Sequence, residues 1–232
     1  MDLDRLRLAV AGEASATAHA VTLKRLRRTT IPLLQIADEV TEVVETRIDH
    51  LFATSQLGPV ACRADCAYCC YVPRVLVTLP ECGRIIHRVR TWPADQIDAL
   101  KARLEAHVAA QASDDAAPAR RPPCALLADG RCSVYDVRPL VCRGQHSYDV
   151  RQCQAHCETG TGETTQLVVV VDAVRGAVSG VTEAFREMGV GASLLDLSRA
   201  LVIALDNPRV LAEGTRGLSL LAGATLSPDT LT

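Results

Sequence analysis

The chain has 232 residues, 48% hydrophobic and 22% charged, a balance that can bury a core and excludes the low-hydrophobicity, high-charge regime of disordered chains. Lysine and arginine number 25 against 27 acidic residues, and the aromatics are one Trp, four Tyr and two Phe. There is neither the positive excess that neutralises a phosphate backbone nor a base-stacking platform, so nucleic acid is excluded as a bulk partner.

Leu3, Leu6, Val10, Ala14, Val21 and Leu26 recur at helical spacing and predict an amphipathic helix over 3–28, closing on the basic run Lys24 to Arg28 that suits a helix C-terminus. Pro32 followed by Leu33, Ile36, Val40, Val43, Val44, Ile48 and Leu51 predicts a second helix over 32–56, ended by Gly58-Pro59. A first cysteine group follows in a loop, and Pro73 with Val75-Leu76-Val77 predicts a short extended exit. Thr78-Leu79-Pro80-Glu81 reads as a capping box opening a helix that ends near Thr91, and Pro93 opens another through Ile97, Leu100, Leu104 and Val108. The stretch from Ala112 to Pro123 has the composition of a flexible connector.

Asp129-Gly130 between two short apolar runs predicts a tight hairpin that brings Cys124 and Cys132 near each other. After Pro139 and Cys142 the polar sequence to Gly162 predicts an irregular loop wrapped round a site. Leu167, Val170, Val171, Val174, Val178, Val181 and Phe185 then predict a helix ending at Gly189, with a strand as the alternative for Leu167 to Val171. Ser193-Leu194-Leu195-Asp196 opens a further helix through Leu205, Pro208 starts a short one, and little orders the tail beyond Gly217. Gly176 and Gly180 are too sparse for a nucleotide fingerprint.

The expected fold is mainly α: a helical domain with a cysteine-rich metal-binding loop region and one small β-hairpin. Its expected parts are an N-terminal helical segment (1–57), a cysteine-rich metal-binding region (58–162) and a C-terminal helical segment (163–232), within one compact domain. The opening MDLDRLRLAVAGEASATAH puts charges where a secretory signal needs its apolar run, so a cytoplasmic, reducing address is expected. Leu167 to Val171 falls far short of the ~20 residues that span a bilayer, so no membrane association is expected.

All ten cysteines lie between Cys62 and Cys157. Cys62, Cys66, Cys69 and Cys70 share one loop as Cys-x3-Cys-x2-Cys-Cys, Cys124, Cys132 and Cys142 sit on the hairpin and the turn after it, and Cys153 and Cys157 form a third pair. Soft sulfur ligands select zinc or iron-sulfur clusters, and four free thiols within nine residues are a reactive liability unless ligated. The 13 basic residues between Cys62 and Cys157 outnumber the 10 acidic ones, which favours thiolates; Arg63, Arg131, Arg138 and Arg143 are the closest in sequence. Cys82, on a helix, reads as a buried apolar residue. His146 and His156 lie where an imidazole would complete a mixed sulfur-nitrogen zinc site, whereas His19, His50, His87 and His107 fall on helices without a cysteine partner and receive no role.

Cys-x3-Cys-x2-Cys-Cys followed by Cys124-Ala-Leu-Leu-Ala-Asp-Gly-Arg-Cys132-Ser-Val-Tyr-Asp-Val-Arg-Pro-Leu-Val-Cys142-Arg resembles the YkgJ-type cysteine-cluster family of zinc- or iron-chelating proteins. The resemblance covers residues 62 to 143 and implies that Cys62, Cys66, Cys69, Cys70, Cys124, Cys132 and Cys142 carry the metal; Cys153 and Cys157 join on proximity in sequence. Flagellin lysine methylases have a similar cysteine set, which implies an iron-sulfur cluster working with S-adenosylmethionine. Cys62-x3-Cys66-x-Tyr68-Cys69 also satisfies the radical S-adenosylmethionine motif, but the strand before the loop and the strand-helix barrel after it are missing.

The resulting expectation is an iron-sulfur cluster used for redox or substrate-activating chemistry, because seven to nine sulfurs exceed the four that one zinc takes. Its alternative is a structural zinc module for interaction without catalysis. Arg138 and Arg143 are the expected polar groups beside the cofactor, or else braces that bond loop carbonyls. The expected partners are metal ions and a small-molecule or protein substrate. No residue is assigned to catalysis.

Overall fold

The fold, taken from a computed structural model, is described for residues 2–28, 32–54, 57–63, 65–71, 74–112, 122–159, 163–191, 193–207, 209–212 and 221–225. Among these, as the sequence periodicities require, helix dominates: α1 (Leu3–Leu26), α2 (Leu33–Thr54), α3 (Leu79–Val89), α4 (Ala94–Ala112), α5 (Leu140–Arg143), α6 (Val150–Thr159), α7 (Val168–Glu187), α8 (Leu197–Asp206) and α9 (Arg209–Ala212). No helix among the described residues is long and apolar enough to cross a membrane.

The scaffold is a helix pair made from the two ends of the chain. Val10, Ala14, Ala18, Thr22 and Leu26 form the buried stripe of α1, and their small side chains let α7 approach closely. On α7 the facing residues are Gly176 and Gly180: a methyl group added at either would collide with the backbone carbonyl of Ala11 or Ser15. Those two glycines, unexplained by the sequence reading, are contact points between helices. The order of contacts is Arg7 with Asp172 at 2.6 Å, Ala11 with Gly176, Ser15 with Gly180 and His19 with Glu187 at 3.0 Å, so the two helices run parallel. Parallel dipoles repel mildly, and the Arg7–Asp172 ion pair with the His19–Glu187 hydrogen bond across the seam offsets that.

Helix α2 lays Ile36, Val40, Val44, Ile48 and Leu51 into the same core, and α3 packs on it through Ile85, Ile86 and Val89. Arg84 of α3 is buried and donates to the Ala37 carbonyl (3.3 Å) and the Thr41 hydroxyl (2.8 Å) of α2. Helix α7 ends in the turn expected at Gly189, whose φ of +67° lets the Val190 amide reach back to the Phe185 carbonyl at 3.0 Å. The valine run that left a strand open is helical from Val168, because its apolar residues share one buried face.

Two small ribbons appear. Strands β2 (Leu127–Ala128) and β3 (Arg131–Cys132) pair antiparallel, Leu127 opposite Cys132, and the turn between them has φ +51° at Asp129 and +76° at Gly130, the left-handed pair that an Asp-Gly hairpin requires. The second ribbon is long-range: β1 (Leu76–Val77) pairs with β4 (Leu195–Asp196). Leu195 is thus a strand residue, and the cap of α8 is Asp196, which accepts the Arg199 amide at 3.0 Å, in place of a helix opening at Ser193. The stretch read as irregular between Cys142 and Gly162 contains α6, which has no buried residue and therefore no apolar period to betray it. The tail holds a turn over Ala222–Ala224 with Leu221 and Ala224 buried in the core. Pro73, Pro208 and residues 113–121 of the expected connector lie outside the described residues.

Candidate metal centre

The cysteine-bearing loop is fastened at both ends. Its Ala61 amide bonds the Ser147 carbonyl (2.8 Å), and the Cys62 sulfur accepts the Ser147 amide (3.2 Å), so the first cysteine is docked on the segment leading into α6. Asp65 then adopts a left-handed φ of +70°, a conformation Asp tolerates, and turns the chain so that its carboxylate meets Arg131 of the hairpin with two contacts, 2.6 and 2.9 Å. This pair is exposed and contributes only ~0–1 kcal/mol, but it aligns loop and hairpin. Cys69 and Cys70 follow in a 3-10 turn (Tyr68–Cys70), and the Cys70 carbonyl accepts the Cys124 amide at 2.8 Å. That bond joins the first cysteine group to the second.

The hairpin is pinned by Arg103 of α4, which donates to the Ala125 carbonyl (3.0 Å), and by the Ser133 hydroxyl and amide on the Leu126 carbonyl, each 2.8 Å. Cys142 rides on α5, whose placement depends on a buried carboxylate. Glu81 closes the capping box of α3 by accepting the Thr78 amide (2.8 Å) and hydroxyl (2.6 Å), while its other oxygen accepts the Leu140 amide at the start of α5 (2.7 Å). The spacing Thr-x2-Glu reveals the cap; the second bond, across 59 residues, has no local signal. Arg143 is buried and spends its donors on the Arg138 and Asp136 carbonyls (3.1 and 2.7 Å) and on Glu45. Its contacts are those of a brace. Arg138 lies over the Tyr135 ring at 4.0 Å, and its positive charge acts on Cys69 and Cys132, favouring their thiolates.

The thiols feel one another and their burial. Burial pushes Cys124 up to about 11 and Cys142 well above the ordinary thiol value, and each is raised further by the sulfurs around it, Cys132 and Cys69 for the former and Cys124, Cys69 and Cys132 for the latter. Cys132 is also raised, chiefly by burial. Within the vicinal pair the Cys70 thiol hydrogen-bonds to Cys69, which holds the Cys70 proton and lowers Cys69 to about 7. Cys62 is raised by burial, against the Ser147 amide that favours its thiolate, and it lies within electrostatic reach of Cys66, Cys153 and Cys69.

The sequence-derived set therefore converges in part. Cys69, Cys70, Cys124, Cys132 and Cys142, from three separate segments, act on one another electrostatically, and Cys62, Cys66 and Cys153 adjoin them. Cys157, one turn beyond Cys153 on α6, is raised by burial and by Glu158. Among the described residues no three Cys, His, Asp or Glu side chains are gathered tightly enough to hold one ion. The donor chemistry nevertheless fits a soft metal: burial and mutual repulsion disfavour the thiolates, a cost that a bound cation reverses. Cys82 is fully buried in the core and raised to about 12 by desolvation, an inert packing residue. His146 is held edge-on against Phe52 of α2, with ring centroids 5.6 Å apart, and burial lowers its pKa. His156 is exposed on α6.

The sequence reading missed two further groups. Asp196 is fully buried and acts on Cys124 and His107; one oxygen caps α8 and the other faces Arg74 at 4.0 Å. His107, which received no role, is buried beside the Ser198 hydroxyl at 3.1 Å, where it ties α4 to α8.

No curated protein and no solved structure matches the chain. A family model does match across the cysteine-bearing part, from the residue before Cys62 to the end of α6. Residues 61–159 match the model of the CxxCxxCC family, described as "Putative zinc- or iron-chelating domain".

Proposed function

We propose that this protein holds iron as an iron-sulfur cluster for redox or substrate-activating chemistry, ligated by thiolates drawn from Cys62, Cys66, Cys69, Cys70, Cys124, Cys132 and Cys142, with Cys153 and Cys157 adjoining. The observation that carries the reading is the convergence of partly buried thiols from the 3-10 turn, the hairpin and α5, together with their number, which exceeds what one zinc uses. Arg138 is the arginine that meets the charge of the bound group, and Arg143 acts through it by holding the Arg138 carbonyl. When bound, such a cluster supplies electron transfer or Lewis acidity. The chain's own residues hold the thiols in register, partly bury Cys124 and Cys142, and keep positive charge beside Cys69 and Cys132.

Zinc stapling without catalysis is the second reading. It is favoured by the way loop and hairpin already meet through one backbone bond and one surface ion pair, contacts a metal would reinforce. Anaerobic purification separates the two: broad visible absorption with equal iron and sulfide supports the cluster, and a colourless protein containing zinc overturns it in favour of the staple.

A further inference from the structure

We infer that the open face of the α1–α2 hairpin, where both helices present a seam of small side chains rimmed by charge, receives a second copy of this chain and makes the protein a two-fold dimer. No cysteine is among the residues that line this face, so the docking does not depend on a bound metal.

Between α1 and α2 runs an open groove of about 700 Å³. Arg25 with Glu39 closes one end and Arg47 with Glu13 the other, a pairing that only antiparallel helices can make. From Glu13 to Arg25 and from Glu39 to Arg47 the helices rise ~12–18 Å, which is the length of the groove. Its floor is Ala14, Thr17 and Val21 of α1 and Val43 and Thr46 of α2. With Lys24 on the first helix and Glu39 and His50 on the second, these positions recur at alternating steps of three and four residues, the spacing of a seam that takes up the side chains of another helix. Helix α1 lies along α7 for most of its length and touches α2 far less, so the two seams stay open.

The charges select the occupant. Along the groove each helix is acidic toward its N-terminal side and basic toward its C-terminal side: Glu13, then Lys24 and Arg25 on α1; Glu39 and Glu42, then Arg47 and His50 on α2. Because the helices are antiparallel, the acidic end of one lies beside the basic end of the other, and such a pattern is its own complement. A copy turned over about a two-fold axis in the contact plane sets α1 on α1 or α1 on α2, antiparallel in both cases. Lys24 then meets a carboxylate of the second copy either way, Glu13 in the first arrangement and Glu39 or Glu42 in the second. A partner of one charge sign would be repelled over half of the groove. A two-fold contact makes each of these pairs twice and expels water from the apolar floor.

The test is sedimentation equilibrium of the full-length protein in a phosphine reductant, which removes disulfide-linked pairs. The wild type is expected to pass from monomer to dimer over the micromolar range. Val43→Glu and Lys24→Glu should each weaken self-association by at least ~10-fold, since a two-fold contact suffers every substitution twice, while Asp98→Lys on the exposed face of α4 leaves it unchanged. Val43 is half-buried; if Val43→Glu loses helical circular dichroism, Thr46→Glu, at an exposed position of the same seam, replaces it. Carbodiimide coupling reads the location. The chain has two lysines, Lys24 and Lys101, and in a mixture of natural and heavy-isotope protein the pairs of unlike isotope should carry Lys24 joined to Glu13, Glu39 or Glu42. A wild type that stays monomeric, as a groove meant for another protein's helix or a small ligand would leave it, overturns the proposal. So does a dimer that the groove variants leave intact, or one whose cross-links between copies avoid Lys24.

Discussion

Removing the Glu81 carboxylate should destabilise the protein by more than the loss of a helix cap. Glu81 is 3% exposed and serves two elements at once, the N-terminus of α3 through Thr78 and the N-terminus of α5 through Leu140. Loss of a cap costs ~1 kcal/mol, and leaving the buried Leu140 amide without an acceptor adds ~1–3 kcal/mol. Glu81→Ala is therefore expected to lower the unfolding free energy by ~2–4 kcal/mol in urea titrations. Thr78→Val, which removes the cap hydroxyl and leaves the Glu81 bond to the Leu140 amide, should cost ~1 kcal/mol. Glu81→Gln keeps one acceptor oxygen and should fall between them. Because α5 carries Cys142, Glu81→Ala should also bind zinc more weakly at temperatures where its helical circular dichroism is still native. Equal effects of Glu81→Ala and Thr78→Val would refute the argument that the carboxylate bridges the two helices.

Gly180→Ala must push α7 away from the Ser15 carbonyl and should cost at least ~1–3 kcal/mol, read as a lowered denaturation midpoint; Gly12→Ala, with nothing near its added carbon, serves as the neutral control. His107 is held below its ordinary value of 6.5, first by burial and against the pull of Asp196, so the folded state binds protons less readily than the unfolded chain. Its contribution is complete above about pH 6.5 and lost as the pH falls below it, and a His107→Gln protein should show a shallower loss of stability between neutral and mildly acidic pH in urea titrations. Cys69, exposed and with its thiol near pH 7, should be the first site alkylated by iodoacetamide, at a rate rising through neutrality, and Cys82 the last, as peptide mass mapping would show. Uniform labelling of the two would contradict that ordering.

Features governed by neighbours in sequence were legible. The Thr78 to Glu81 box and the Asp129-Gly130 turn each need only a few residues to be recognised, and the long apolar stripes of α2 and α7 announce themselves by period. What escaped was decided by distance. Leu195 and Asp196 read as a helix opening because their strand partner, Leu76-Val77, lies over a hundred residues earlier in the chain. Helix α6 escaped for the opposite reason, since it buries nothing. Within the site, the cysteine spacings pointed to the thiols, but neither the second bond of Glu81 nor the approach of Asp196 to Cys124 leaves a trace in the local sequence.

The parallel seam between α1 and α7 also sets an order of events during synthesis. Arg7 waits for Asp172 and His19 for Glu187, so α1, held on α2 through Arg25 and Glu39, lacks its parallel partner until all ten cysteines have left the ribosome. For that interval the nascent thiols lack the scaffold that the seam completes, and oxidation or premature capture of an ion would trap loops that α7 has yet to bring to rest. Metal delivery is therefore best timed to follow closure of that seam.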